Sequence, residues 1–285
     1  MLRVSDLFSE VNHLAAYSAI PIIAPEEFRE PVEVYDFSRP PENVSVIGSF
    51  GANCRLVLRK GLRPMPGRIH LSGTPGPGRI CDDITIVLMG LPGSANMRFF
   101  AGGSAFYFGR QMGAFSCGVT AWERSVLAVG DGSASGGSRI ELSDSEVLIG
   151  RGCLFADSTI LQSHDGHGIV DLKTMSIVNS KRSKISIEDH VWVGRGATIL
   201  KDVTVGRGAI IANNAVVTKP CPPCTLVGGM PAKTIKRNVS WSLSREMIME
   251  QEQALLAMYK ANLGLSHDVQ HDAPDEHRLP RHFAA

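Results

Sequence analysis

Two histidines three residues apart, in the run Ser163-His164-Asp165-Gly166-His167-Gly168-Ile169, are the residues of this chain best suited to chemistry. An imidazole is neutral near pH 7 yet can take a proton, so a positioned histidine can act as a general base. Asp165 or Asp171 could hold such a ring in one tautomer. Taken alone, loop histidines are more often solvated than catalytic, and the pair needs support from its surroundings. Cys221-Pro222-Pro223-Cys224 has redox or zinc spacing but no second pair, which leaves these cysteines a packing role. Four of the nine histidines fall between His267 and Ala285 at irregular spacing, in a polar stretch that reads as a solvated tail and not as a metal site.

What could position the histidine loop is legible around it. Ile149, Phe155, Ile187, Val193, Ile199, Val205, Ile211 and Val217 recur at multiples of six, apart from one break after Phe155. Four residues after each comes a small or β-branched one: Cys153, Thr159, Val191, Ala197, Val203, Ala209, Ala215 and Cys221. Strands this short cannot stand alone; each sends one large side chain inward, and stacking the coils buries it. The period predicts an all-β solenoid, a parallel β-helix, over residues 43–239. A β-sandwich with fortuitous spacing is the alternative. Consecutive hexads from Ile187 through Ile211, conforming at both positions, decide against it.

Upstream the pattern is looser, as in Val46-Ile47-Gly48 and Val129-Gly130-Asp131, and reads as irregular coils. Residues 60–80, with Pro64, Pro66, Pro75 and Pro77, read as a surface excursion, and residues 162–186 as a protruding loop at the break in the period. Residues 1–42 form an N-terminal segment. Residues 240–264 carry a helix from Arg245 to Leu263, with Ser244 as N-cap and Gly264 past its end, and residues 265–285 read as a disordered tail.

Composition narrows the function. Lysine and arginine number 29 against 28 aspartates and glutamates, so the net charge of +1 provides no field for gripping nucleic acid. The six scattered cysteines lack the spacing of a disulfide framework and read as reduced thiols. The apolar stretch from Leu14 to Ala24 is too short to cross a bilayer and no signal peptide is evident, so the expectation is a cytoplasmic protein with no membrane span.

Three blocks occur in order: Ser163 to Asp171, Ile187-Glu188-Asp189-His190-Val191-Trp192-Val193-Gly194, and Val227-Gly228-Gly229-Met230-Pro231-Ala232-Lys233. Together they resemble the left-handed β-helix, hexapeptide-repeat acyltransferases, and among them the polysaccharide and lipopolysaccharide O-acetyltransferases, over Val147 to Trp241. The resemblance implies transfer of acetyl from acetyl-CoA to a hydroxyl of a sugar or polysaccharide precursor. It also implies a homotrimer with active sites between subunits and no metal. It puts the catalytic histidine at His167, with Asp165 beside it and His164 against the substrate. Trp192 is implied to line the site along the coenzyme's pantetheine arm or the acceptor. Gly194, Gly196, Ala212 and Gly228 would give the coenzyme a narrow groove, with Lys219 and Lys233 at its phosphates. Two other readings stand beside this one. The first is an amino-sugar N-acetyltransferase; the second is a γ-carbonic-anhydrase-like zinc enzyme using His164, His167 and His190, whose spacing does not match that family's ligands.

Overall fold

The computed structural model describes residues 30–42, 44–63, 69–110 and 113–265. Most of the N-terminal segment, part of the proline-rich excursion and nearly all of the histidine-containing tail therefore lie outside the described residues. The chain divides into two units at Trp241/Ser242.

The first unit is a left-handed parallel β-helix. In its regular part Ser186 pairs with Thr204, Trp192 with Ile210 and Thr198 with Val216, so one turn of the coil takes eighteen residues, or three hexads. Each rung hydrogen-bonds to the next, as from the Trp192 amide to the Ala209 carbonyl at 3.0 Å and from Gly194 to Ile211 at 2.8 Å. The hexad aliphatics Ile187, Val193, Ile199, Val205, Ile211 and Val217 are buried in stacked columns, together with the small residues Ala197, Ala209 and Ala215. His190, Gly196, Asp202, Gly208 and Asn214, again six apart, turn the corners with left-handed backbone angles of φ 55 to 67°. That conformation favours glycine and tolerates Asn, Asp and His better than branched residues.

Upstream the rungs are longer and uneven. Val44 pairs with Ile69, Ile69 with Ala95, Ala95 with Cys117 and Cys117 with Ser138, a step of 25, 26, 22 and then 21 residues. Two walls of mostly five-residue strands replace the three short ones; the long strand Ala134–Leu142 pairs with Leu154–Phe155 by its first half and with Thr159–Gln162 by its second. The wider section is filled by aromatics. Phe99 stacks on Phe106 at 5.4 Å between ring centroids, and Phe108, Phe115 and Phe155 form an edge-on series at 6.3 and 5.8 Å, all of them buried.

Pairing begins before residue 43, because Val32–Asp36 lies antiparallel to Arg55–Arg59. At the other end Thr225–Gly228 pairs antiparallel with Lys233–Arg237 across a cis Met230-Pro231 bond. Cys221 and Cys224 are buried and unpaired, and burial pushes the Cys221 thiol up to about 11, in keeping with packing and not with thiolate chemistry.

In the second unit the helix spans Glu250–Asn262, five residues later at its start than the sequence suggests. Ser244 does accept the amides of Glu246 and Met247, but it closes an isolated turn. The helix itself is started by Glu252, whose carboxylate reaches back to the amides of Met249 at 3.3 Å and Leu243 at 3.0 Å. Gly264 ends it with φ 67°. Among the described residues no helix is long and apolar enough to cross a membrane.

Candidate active site

The histidine loop leaves the coil where the strand Thr159–Gln162 ends. Ser163 is buried there, its hydroxyl 2.6 Å from both Ser145 Oγ and the Glu141 carbonyl, which fixes the point of departure. The loop folds back through an antiparallel hairpin, Val170–Asp171 with Ser176–Ile177. Asp171 builds the tip, accepting the amides of Lys173 at 2.7 Å and Thr174 at 3.1 Å, and is thereby occupied with its own turn.

Asn179, on the returning arm, ties the loop together. Its Oδ1 accepts the Ile169 amide at 2.7 Å, and its Nδ2 donates to Asp165 Oδ2 at 2.7 Å and to the His167 carbonyl at 2.9 Å. Lys201, from the next rung, reaches Asp165 Oδ2 at 2.5 Å. Lys201, and then Asn179, hold the Asp165 carboxyl below the usual carboxylate range. Asp165 is therefore bound to Lys201 and Asn179 and not to the imidazole of His167. It fixes the loop that presents the ring.

The two imidazoles differ in kind. His164 is half-buried, and its Nδ1 accepts the Gly166 amide at 2.9 Å, which places the proton of the neutral ring on Nε2. Burial pushes its pKa down, and Nε2 is enclosed with no partner among the described residues. His164 thus has no free basic nitrogen. His167 is exposed, and its ring makes no hydrogen bond among the described residues. A cavity of about 310 Å³ lies here, lined by His164, Asp165, His167, Asn179, Lys201 and Arg124.

The remaining candidates form a second group on another wall. Hydrogen bonds from Gly194 to Ile211 and from Ala212 to Val227 set Gly194, Ala212 and Gly228 on successive rungs, and Gly228 pairs with Lys233 on the last strand. A Cβ on Gly228 would come within 3.0 Å of Ala212 Cβ and within 2.8 Å of Ile235, so only small residues fit in this column. Trp192, 38% exposed, starts the same wall two residues before Gly194 and lies tilted 6.4 Å from Trp241. Gly196 serves the corner, since its φ of 67° and an Asn214 Oδ1 only 2.3 Å from a Cβ leave no groove. Lys219 does not join Lys233; Leu200 and Thr218 lie on adjacent rungs, which puts Lys219 one rung beyond Lys201 at the histidine-loop corner. His190 is stacked on Trp241 at 4.4 Å, and its Nε2 lies 3.1 Å from the Trp241 carbonyl, so it does not converge with His164 and His167. Among the described residues no group of three or more His, Cys, Asp or Glu side chains is placed to hold a metal ion.

Sequence reasoning missed Asn179 and Lys201. Each owes its role to a contact 14 or 36 residues away, for which neither residue's type nor its place in the hexad gives a signal.

Comparison with known proteins agrees with this architecture. Residues 184–219 match the bacterial transferase hexapeptide (six repeats) family. A polysialic acid O-acetyltransferase of Escherichia coli O1:K1 / APEC is 33% identical over 146 residues, covering 51% of this chain and 47% of that protein. This chain therefore spans about half the length of that relative. The crystal structure of the polySia specific acetyltransferase NeuO superposes with a TM-score of 0.54 at 26% identity, covering 68% of this chain and 83% of the other. The polysialic acid O-acetyltransferase OatWY shares the fold, with a TM-score of 0.50 at 18% identity over 76% of this chain and 98% of that one. The chain thus carries the bacterial transferase hexapeptide repeat on a left-handed β-helix, and it resembles the polysaccharide O-acetyltransferases among the hexapeptide-repeat acyltransferases.

Proposed function

We propose that this protein transfers an acetyl group from acetyl-CoA to a hydroxyl of a sugar or polysaccharide precursor, with His167 as general base. The observation that carries this reading is the contrast between the two histidines: His167 stands free in a loop locked by Asn179 and Lys201, whereas His164 Nδ1 is taken by the Gly166 amide and its protonated Nε2 is enclosed. His164 then braces the loop beside the acceptor and does not take its proton. The polysialic acid O-acetyltransferases among the relatives support a glycan hydroxyl over an amine.

In the transfer the acceptor oxygen attacks the thioester carbonyl as its proton passes to His167. A backbone amide takes up the charge on the carbonyl oxygen. The carbon–sulfur bond then breaks, and the coenzyme leaves as a thiol by regaining that proton. Both substrates are bound together, so no acyl-enzyme forms. The coenzyme lies along Gly194, Ala212 and Gly228 with its phosphates toward Lys233 and its arm past Trp192. Screening acetyl-CoA cleavage against free sugars, nucleotide sugars and polysaccharide fragments tests the reaction. Cleavage stimulated by an amine-bearing sugar alone moves the assignment to N-acetylation.

Within one chain the histidine loop and the Trp192 wall are separate, since Thr159–Gln162 and Leu154–Phe155 diverge after the long strand that both pair with. A second copy can bring its Trp192 wall against His167, and a closed ring of three gives each loop such a wall. The expected species is a homotrimer by analytical ultracentrifugation. A fully active monomer contradicts it.

The clamp makes a prediction of its own. Asn179→Ala removes three hydrogen bonds from the loop and is expected to lower turnover roughly 10- to 100-fold through misplacement of His167. The coenzyme wall is untouched, so acetyl-CoA affinity and melting temperature should hold. Unchanged turnover would mean that the loop keeps its geometry without Asn179.

A further inference from the structure

Gly118 lies in the middle of the strand Phe115–Ala121, where glycine weakens pairing and often marks the close approach of another group. Nothing among the described residues makes that approach: a Cβ on Gly118 would meet no heavy atom within 4 Å, and its backbone is outside the left-handed region. The register shows what the missing side chain leaves open. On the outer face Asn96, Gly118, Arg139 and Ile160 stand side by side on successive strands, and Arg98, Thr120, Glu141 and Gln162 form the neighbouring row. Two adjoining cavities, of about 650 and 470 Å³, share Asn96, Gly118 and Arg139.

The groove has apolar walls with charged side chains set along it, and it runs toward the histidine loop. Arg98 has no hydrogen bond or ion pair among the described residues, and Arg139 Nε lies 3.2 Å from Glu141. At the far end Gln162 donates to the His164 carbonyl at 2.9 Å, and the Glu141 charge acts on the His164 ring. From Arg98 to Gln162 is three strand spacings, roughly 14 Å at ~4.8 Å per strand, which is longer than a single sugar ring.

We propose that this wall binds the acceptor beyond its reacting unit, as an acidic oligosaccharide laid over Gly118. The proposal rests on the reading of the chain as a glycan acetyltransferase. Arg98 pairs a carboxylate of the glycan in the fork geometry suited to it, with Arg139 beside it, while Asn96 and Thr120 meet hydroxyls. Gly118 is bare because a sugar ring takes the space of a side chain. The near-neutral surface as a whole would not hold a polyanion, but this groove needs to match only one or two acid groups.

Calorimetry on the full chain with short oligosialic and oligogalacturonic acids, against a neutral oligosaccharide of equal length, tests the groove. Gly118→Leu should weaken acidic-oligomer binding at least tenfold, with acetyl-CoA affinity and oligomeric mass unchanged and the melting temperature equal or higher. Arg98→Ala should lose on the order of tenfold for the acidic oligomers and little for the neutral one. The groove is overturned if neither acidic oligomer binds saturably, or if Gly118→Leu binds them normally. A changed mass in Gly118→Leu also overturns it, because the wall is then a contact between copies. Groove-dependent binding without acetyl transfer to any glycan keeps the site and removes the acetyltransferase reading. Transfer to glycans that Gly118→Leu leaves untouched does the reverse.

Discussion

Replacing His167 by alanine is expected to lower acetyl transfer by roughly two to four orders of magnitude, the usual cost of losing a positioned base. The oligomer and acetyl-CoA binding should survive, because the His167 side chain is exposed and only its carbonyl is held, by Asn179. His164→Ala should be milder. Its Nδ1 already accepts the Gly166 amide and its Nε2 carries the proton, so the loss is a hydrogen bond and some local packing. Turnover of both variants, with acetyl-CoA affinity measured by calorimetry, separates the roles. A larger loss in His164→Ala, or near-normal turnover in His167→Ala, would overturn the assignment.

The loop was legible in the sequence because its histidines interrupt a strict period, and the interruption is itself a signal. What positions His167 was not legible. Asp165 is the nearest carboxylate in sequence, yet it serves Lys201 and Asn179, and only the rung-to-rung register brings Lys201 to it. The tautomer of His164 depends on a main-chain amide two residues away, which no residue pattern encodes. Lys219 and Lys233 are close in sequence but occupy different corners, since a coil carries the chain to a new wall every six residues.

Phe155→Ala is expected to cost ~3–5 kcal/mol of stability, as for other buried phenylalanines truncated in a packed core. Phe155 lies where wide upstream rungs meet narrow downstream ones: its ring packs edge-on against Phe115 at 5.8 Å, and its strand pairs with both Ala134–Leu142 and Trp192–Val193. No neighbouring rung can close the gap without shifting its own column. Against a typical domain stability of ~5–15 kcal/mol, such a loss is visible in any denaturant titration. A change below ~1 kcal/mol would show that the junction collapses around the void.

The same junction marks where the fold ceased to be readable. Downstream, eighteen-residue rungs keep Ile187, Val193 and Ile199 in phase with Val205, Ile211 and Val217, and the period states the fold. Upstream, rungs of 21 to 26 residues have no common divisor to find, and Phe99, Phe106, Phe108 and Phe115 join Leu and Ile at the inward positions. The helix in the second unit starts later than Ser244 suggests, because the chain spends that residue's capping hydroxyl on a separate bend at Glu246 and Met247.

A stack of parallel coils has no natural length, because its last rung offers the same ladder as every rung before it and invites another copy to continue the pile. Among the described residues one wall is reversed at each end, by Val32–Asp36 against Arg55–Arg59 and by Lys233–Arg237 against Thr225–Gly228. On those walls an incoming coil meets amides and carbonyls in the wrong order and, beside Thr225–Gly228, the like charges of Lys233, Lys236 and Arg237. The two reversed strands thus act as chain terminators for a filament along the walls they cover, independent of how many eighteen-residue turns lie between them.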